Sequence, residues 1–200
     1  MKVLVTGFEP FGGEEINPSW EAVSRLPDRI EGAEIIKHQL PVTFNGVRKV
    51  LPRLIIDKKP DIVILTGQAG GRPNITVERV AINVMDSKIP DNEGFAPEDK
   101  PVFEGAPDAY FATLPIKAIV GALRKEKIPA GVSNTAGTYV CNAAMFTALH
   151  TIAVAGMETK AGFIHVPFSH EQALEKQRPS MAVETMEKAF EVAIGTSLRG

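Results

Sequence analysis

The chain contains one cysteine, Cys141, and its surroundings predict a reactive thiol. The apolar run 130–132 predicts a strand, small polar residues predict a turn, and the apolar periodicity of 140–149 predicts a helix. Cys141 then lies in the first helical turn, where free amide groups and the helix dipole favour an anion. We therefore expect a lowered thiol pKa and a nucleophile. The alternative is a free cysteine that packs as a small apolar side chain.

A thiol nucleophile needs a base to accept its proton, and histidine is the usual one. The chain has four histidines, which are His38, His150, His165 and His170. His165 ends an apolar run just before Val166-Pro167, at the carboxyl end of a predicted strand, where open α/β sheets place their ligands. His150 shares the predicted helix of Cys141 but lies about 13 Å further along it. We expect His165 to be the base, and the alternative is a core histidine satisfied by backbone groups. His38 and His170 are expected to be structural or surface residues.

A third group usually fixes the orientation of the imidazole, and Glu78 is the candidate. It is a carboxylate within the otherwise apolar strand-like run 76–81, which follows a glycine-rich loop. On its own, Glu78 reads better as a solvent-facing strand residue paired with a cation. Together with Cys141 and His165, it completes a possible cysteine-histidine-carboxylate site.

Glycine-rich loops follow two predicted strands, at 7–13 and at 67–72. Neither loop matches a P-loop or the dinucleotide-binding fingerprint, so the indication of a phosphate site is weak. The first loop carries Phe8 and Phe11, which can form a flat slot for a small planar ring. Ordinary core anchoring is the alternative for both aromatics.

The composition is typical of one globular α/β domain. The 200 residues are 44% hydrophobic and carry a net charge of −2, which argues against broad attraction to nucleic acid or anionic membranes. No apolar run approaches the roughly 20 residues that cross a bilayer, and the first residues do not have the pattern of a signal peptide. We expect a reducing cytoplasm and, without a cysteine/histidine ligand cluster, no metal.

Apolar runs and helical periodicity alternate along the chain, which predicts a single α/β domain over 1–200: an open, twisted, largely parallel sheet with helices on both faces. Strands are predicted at 2–6, 34–40, 61–66, 130–132 and 162–166, and a strand or hairpin arm at 75–85. Helices are predicted to begin at Asn17-Pro18 and to cover 43–58, 115–127, 140–149 and 180–198, with Pro52 bending or interrupting the second. The stretch 86–114 is predicted to be a long irregular loop with a functional or contact role.

Several segments, taken together and in order, resemble the pyroglutamyl peptidase I (pyrrolidone-carboxylate peptidase) family of cysteine peptidases. The resemblance extends over nearly the whole chain and is carried by the opening 6–12 with 17–20, and by 67–83, 89–92, 128–142 and 164–167. It implies removal of an N-terminal pyroglutamyl (5-oxoproline) residue from peptides through a thioester, without a cofactor. It also implies a cytoplasmic homo-oligomer, often a tetramer.

The resemblance also assigns roles to individual residues. Cys141 falls on the nucleophile, His165 on the base and Glu78 on the orienting carboxylate. The substrate pocket is expected to include Phe8, Phe11, Gln68, Ile89, Tyr139 and Val140. Tyr139 stands where phenylalanine is common in the family, and its hydroxyl is expected near the ring pocket; Lys88 stands where arginine is frequent. The rival interpretation is a phosphate- or nucleoside-binding α/β protein that uses the two glycine-rich loops as anion cradles, and a non-enzymatic scaffold is a weaker third.

Overall fold

A computed structural model describes residues 1–200. Its eleven strands are β1 (Lys2–Phe8), β2 (Arg29–Ile30), β3 (Ala33–Leu40), β4 (Ile62–Gln68), β5 (Ile75–Glu78), β6 (Val80–Ile82), β7 (Ala109–Phe111), β8 (Ala130–Ser133), β9 (Lys160–Val166), β10 (Phe168–Ser169) and β11 (Ser180–Met181). Its α-helices are α1 (Pro18–Arg25), α2 (Phe44–Lys58), α3 (Ile116–Lys125), α4 (Val140–Val154) and α5 (Val183–Arg199). None of these helices has the length and apolar composition that a bilayer crossing requires.

The central sheet has seven strands in the order β2-β3-β1-β4-β9-β5-β8. Strands β3, β1, β4 and β9 are parallel to one another. Strand β5 runs antiparallel to β9, β8 is parallel to β5, and β2 is antiparallel to β3. The predicted fold class, a largely parallel α/β sheet, is confirmed, with three strands running in the opposite direction.

Helices cover both faces of the sheet, which explains why the central strands are apolar on both sides. Alternate residues of β1 enter different cores: Val3 and Val5 pack on one face and Leu4 on the other. The first core also contains buried residues of α1, α3 and α5, whereas the second contains those of α2 and α4. Helix α4 is buried on most sides, as its apolar composition requires.

Side chains cap the first two helices where the sequence indicates. Asn17 accepts a hydrogen bond from the N–H of Ser19 ahead of α1, and Thr43 accepts one from the N–H of Gly46 at the start of α2. Of the bend or interruption predicted at Pro52, the interruption is wrong, because α2 continues through it to Lys58. Buried residues on both sides of Pro52, among them Val47 and Ile55, hold the two halves of the helix against the same core.

The run 75–85 forms two strands rather than one. Strand β5 joins the central sheet, whereas β6 pairs with β7 in a separate two-stranded sheet, so the long segment 86–114 is not entirely irregular. Asn142, a buried residue in the first turn of α4, ties this helix to β6. Its side-chain oxygen accepts from the N–H of Ile82, and its side-chain nitrogen donates to the C=O groups of Ile82 and Val84. The small sheet is thereby fixed beside the helix that carries Cys141.

The long loop is fastened to the start of α2 by a buried carboxylate, that of Asp91. Its two oxygens accept hydrogen bonds from the N–H groups of Phe44, Glu93 and Phe95. Phe44 is the first residue of α2, where N–H groups have no partner within the helix, so a carboxylate is favourable there. With the bonds that Asn92 donates to Glu9, Pro10 and Val42, this contact holds the loop near the carboxyl ends of β1 and β3.

Candidate active site

The sheet register brings the candidate base and nucleophile to one place. His165, near the end of β9, pairs with Gly67 of β4 on one side and Thr76 of β5 on the other. A β-carbon built on Gly67 would lie 3.0 Å from the sulfur of Cys141 and 2.8 Å from Cζ of Phe163. The thiol therefore reaches the sheet at the very residue that is the neighbour of His165, and only the missing side chain of Gly67 leaves room for it.

Glu78 and His165 form a direct, buried hydrogen bond. Glu78 has no exposed surface, and its Oε1 lies 2.7 Å from Nδ1 of His165, whose side chain is also almost fully buried. This bond fixes the ring with Nδ1–H as donor and leaves Nε2 as the nitrogen that can accept a proton. The expectation that Glu78 by itself faces solvent is wrong, since β5 lies inside the sheet between β9 and β8.

A third charged residue, Arg72, also contacts Glu78. Its Nη1 lies 2.6 Å from Oε1 of Glu78 and 2.6 Å from Oγ1 of Thr76, and its Nη2 donates to the carbonyl of Thr135 at 3.3 Å. The contact of Arg72 with Glu78 was not predicted from the sequence. The sequence did contain a signal for this contact, because Arg72 is a cation in the loop directly before the strand that carries the lone carboxylate of Glu78.

The pKa of the Cys141 thiol differs from the sequence-based expectation. Burial, and then the negative charge of Glu78, raise it to about 12, although Arg72 and the N–H of Cys141 itself act in the opposite direction. The predicted lowering is therefore wrong, because the helix start does not offset the loss of solvation. In the free site the sulfur carries its proton, so a nearby base has to remove it before attack.

The base is neutral and its carboxylate partner is ionised. Burial lowers the pKa of His165, Arg72 lowers it further, and the bond to Glu78 only partly opposes them, so the ring is neutral near neutral pH. Burial acts to raise the pKa of Glu78, but the interaction with His165, followed by those with Ser133 and Arg72, outweighs it and the pKa is lowered. The structure therefore presents a neutral imidazole on an ionised carboxylate, which is the state that a general base requires.

A narrow apolar cavity lies beside Cys141. Its lining residues are Phe8, Phe11, Asn17, Val42, Gln68, Tyr139, Val140 and Cys141. Five of the six residues expected around the substrate are among them. Ile89 is not, and its side chain is 53% exposed. Asn17 and Val42, which the sequence analysis did not assign to the pocket, lie in the segments that follow β1 and β3, whose ends meet at this edge of the sheet.

The polar groups at the cavity are partly engaged elsewhere. The Tyr139 hydroxyl donates to the carbonyl of Pro90 at 3.1 Å, so it ties the pocket wall to the long loop. Gln68 accepts a hydrogen bond at 3.0 Å from Nε2 of Gln172 through its side-chain oxygen. The side chain of Asn17 is fully engaged, because its oxygen accepts from the N–H and hydroxyl of Ser19 and its nitrogen donates to the carbonyl of Glu9. The amide nitrogen of Gln68 therefore remains as the polar group of the cavity for a ligand.

The remaining histidines do not contact Cys141 or Glu78. Nδ1 of His150 lies 3.0 Å from the hydroxyl of Tyr110, within a cluster of aromatic rings. His170 lies 2.9 Å from the hydroxyl of Ser180, and His38 pairs in register with Thr6 in the sheet. No group of three or more His, Cys, Asp and Glu side chains is arranged as metal ligands.

The second glycine-rich loop serves packing and turning. A β-carbon on Gly70 would lie 2.2 Å from the Phe168 ring, and Gly71 has a φ of +94°, which side chains rarely adopt. The N–H of Arg72 closes the turn on the carbonyl of Ala69 at 3.2 Å. The glycines thus allow a tight turn that brings the Arg72 guanidinium to Glu78.

A thiol at a helix start, a neutral imidazole held by a buried carboxylate and an adjoining apolar cavity together have the chemistry of a cysteine hydrolase on an α/β sheet. Sequence comparison gives the family. The sequence model of the pyroglutamyl peptidase family matches residues 1–200. The chain is 82% identical to a pyrrolidone-carboxylate peptidase of Thermococcus onnurineus, covering all of both proteins, and 81% identical to that of Thermococcus kodakarensis, covering 97% of this chain and 94% of the relative. The chain belongs to the pyroglutamyl peptidase family.

Solved structures agree with this assignment. The fold is similar to pyroglutamyl peptidase I from Bacillus amyloliquefaciens, with a TM-score of 0.95 and 48% identity over 98% of this chain and 94% of that one. It is also similar to a variant of pyrrolidone carboxyl peptidase from Pyrococcus furiosus, with a TM-score of 0.97 and 46% identity over 100% and 99% of the two chains. The expected family and fold are confirmed.

Proposed function

We propose that Cys141, His165 and Glu78 carry out the reaction of this family. The protein is a cysteine-type pyroglutamyl peptidase, which removes an N-terminal pyroglutamyl residue from peptides. The observation that supports the assignment of residues is the buried 2.7 Å contact between Glu78 and His165, next to the glycine against which the Cys141 sulfur rests. A phosphate- or nucleoside-binding protein would have no need of this arrangement.

The reaction begins when the Cys141 sulfur attacks the carbonyl carbon that joins pyroglutamate to the next residue. Nε2 of His165 takes the thiol proton, and Glu78 stabilises the imidazolium that forms. The carbonyl oxygen becomes an oxyanion, for which backbone N–H groups at the start of α4 are natural donors. The first intrahelical bond of α4 is donated by Ala143 to Tyr139, so the N–H of Cys141 is free for this purpose.

The intermediate collapses with transfer of the proton from His165 to the departing amine, which leaves the shortened peptide. The pyroglutamyl group remains on the sulfur as a thioester. Water then attacks the thioester carbon while His165 takes a proton from it and returns that proton to the sulfur. Free pyroglutamate and the starting enzyme result, so protons and charge balance over the cycle.

The cavity accounts for the choice of ring. Phe8, Phe11 and Tyr139 provide apolar and aromatic walls, and the pyrrolidone ring is neutral because its nitrogen belongs to a lactam. An N-terminal residue with a free ammonium would bring a charge into this apolar space at a large desolvation cost. Ile89 has no wall position, so we assign it no part in holding the ring.

The test of the catalytic assignment uses three substitutions and one control. We expect Cys141→Ser and His165→Ala to abolish hydrolysis of a fluorogenic pyroglutamyl amide and Glu78→Gln to impair it, with circular dichroism used to check that each variant is folded. His170→Ala, which removes an exposed histidine, should leave the rate unchanged. Folded Cys141→Ser that keeps more than about a tenth of wild-type kcat, equivalent to about 1.4 kcal/mol, would exclude the thiol as nucleophile.

The cellular setting belongs to the same proposal. A single thiol that must stay reduced suits the cytoplasm. A homo-oligomer, often a tetramer, is the assembly that the family resemblance implies. Sedimentation analysis of the purified protein measures the number of copies, and a monomer at all concentrations would contradict this part of the proposal.

A further inference from the structure

The carboxylate of Glu78 carries more charge partners than orientation of one imidazole requires. Oε1 is shared by Nδ1 of His165 at 2.7 Å and by Nη1 of Arg72 at 2.6 Å, whereas Oε2 is buried without a hydrogen-bond partner. The imidazole from β9 and the guanidinium from the β4–β5 loop therefore both contact this carboxylate, and its negative charge acts on the Cys141 thiol of α4. Arg72 is the only one of these that carries a permanent charge.

Several contacts hold the guanidinium in place. Nη1 also donates to the hydroxyl of Thr76 at 2.6 Å, and Nη2 donates to the carbonyl of Thr135 at 3.3 Å. Thr135 lies in the connection between β8 and the helix that carries Cys141. The side chain of Arg72 is 31% exposed, so its charge acts from the solvent edge of an otherwise buried cluster.

We propose that Arg72 is a positioning residue for the reaction: its fixed charge keeps Glu78 ionised and leaves His165 neutral and able to accept the thiol proton. This inference rests on the proposed function of Cys141, His165 and Glu78. It assigns Arg72 no contact with substrate. Its action passes entirely through the Glu78 carboxylate.

The physical reason is charge compensation in a buried place. A carboxylate without exposure needs a positive partner. If Arg72 were absent, the only group able to supply that charge would be the His165 ring, which would do so by binding a proton at Nε2. The free enzyme would then hold imidazolium over a wider pH range, and imidazolium cannot take the proton of Cys141. Arg72 provides the positive charge without using the base.

Loss of the Arg72 charge should change the pH dependence of kcat/KM in one direction. The acid limb of kcat/KM reports the loss of a proton from the base in the free enzyme. Burial is the main cause that lowers the pKa of His165, and the Arg72 charge lowers it further, so removal of that charge moves the limb to higher pH. For a charge two hydrogen bonds away on a shared carboxylate, we expect an upward shift of about one pH unit.

The experiment compares Arg72→Met, Arg72→Lys and Arg79→Met. Arg79 is the matched control, because it follows Glu78 directly and bonds Asn134 at 2.8 Å instead of the carboxylate. The kcat/KM of each folded variant is measured on a fluorogenic pyroglutamyl amide from about pH 4 to pH 10. Arg72→Met moves the acid limb upward, with about tenfold loss on the acid side and recovery toward the wild-type rate at high pH. Arg72→Lys and Arg79→Met keep the wild-type limb.

An acid limb that stays in place in Arg72→Met overturns the inference, whether the rate falls uniformly or does not fall. An equal shift in Arg79→Met overturns it as well. If Arg72→Met does not fold, Thr76→Val replaces it: this variant removes one anchor of the guanidinium, and the expected shift is smaller but in the same direction. An unmoved limb in folded Thr76→Val then decides against Arg72.

The outcomes separate this inference from the function on which it rests. Inactive Cys141→Ser and His165→Ala combined with an unmoved limb in Arg72→Met leave the proposed function intact and remove only the role of Arg72. Active His165→Ala removes the proposed base itself, and the role of Arg72 with it.

Discussion

A single added methyl group at Gly67 tests whether the enzyme depends on the close approach of helix α4 to the sheet. In Gly67→Ala the new carbon would lie 2.8 Å from Cζ of Phe163 and 3.0 Å from the Cys141 sulfur. Carbon contacts are favourable at about 3.5 Å or more, so these neighbours have to retreat by about half an ångström. Both are on the second-core face of the sheet, where packing is dense, and such overpacking costs about 1 to 3 kcal/mol of unfolding free energy.

The activity of Gly67→Ala should fall more than its stability suggests. A displacement of about 1 Å between reacting groups can cost 100-fold, so half that distance at the sulfur predicts about a tenfold loss of kcat/KM on a pyroglutamyl amide. Gly121→Ala is the matched control, since a β-carbon there meets nothing within 4 Å inside helix α3. It should keep full activity and gain about 0.5 to 1 kcal/mol.

Both variants are measured by urea unfolding and by steady-state kinetics under the same buffer conditions. Gly67→Ala with wild-type kcat/KM would show that the sulfur position tolerates this displacement, and the reasoning from Gly67 would be refuted. A loss of activity in Gly121→Ala equal to that in Gly67→Ala would also refute it, because a general effect of glycine replacement would then be responsible.

Two further predictions concern the pocket and the thiol. Phe11→Ala should lower kcat/KM for pyroglutamyl amides about 30-fold, or about 2 kcal/mol, with little change in unfolding free energy, whereas Phe8→Ala, at 2% exposure, should cost about 3 to 5 kcal/mol of stability. The wild-type enzyme should prefer pyroglutamyl over prolyl amides by about 1000-fold. An unchanged rate in Phe11→Ala would place selectivity elsewhere. Because the pKa of Cys141 is raised to about 12, its alkylation by iodoacetamide in the absence of substrate should keep rising with pH through the whole alkaline range; a plateau below neutral pH would instead indicate a thiolate–imidazolium pair in the free enzyme.

The sequence predicted most helices and parallel strands because their signals are local. Asn17 and Thr43 cap helices as expected, and the apolar run after Asp61 is a fully buried strand. The direction of β5 and β8 relative to their neighbours was not predictable from periodicity, because the side chains of a buried strand alternate in the same way in either direction. The split of 75–85 into two sheets depends on Asn142, 60 residues away from Ile82.

The site was predictable where chemistry is tied to a local motif. Phe8, Phe11, Tyr139 and Val140 line the cavity beside Cys141 as expected from the loops that carry them. Three features of the site were not predicted, because they depend on which residues are close in space. These are the position of Arg72 on Glu78, the lining role of Val42, and the balance of burial against the helix start that raises the thiol pKa. Each arises where segments remote in sequence meet.

The strand order has a consequence for how the chain folds during synthesis. Strand β9 lies between β4 and β5, both of which precede it by about 80 residues or more of chain, so the two parts of the sheet cannot join until residue 166 is available. Until then the edges of β4 and β5 have no partner, and such edges can pair with other chains. The same insertion delivers His165 between Gly67 and Thr76. A ribosome-bound fragment that ends before β9 should therefore be both inactive and prone to aggregation, and peptidase activity begins only when the sheet closes.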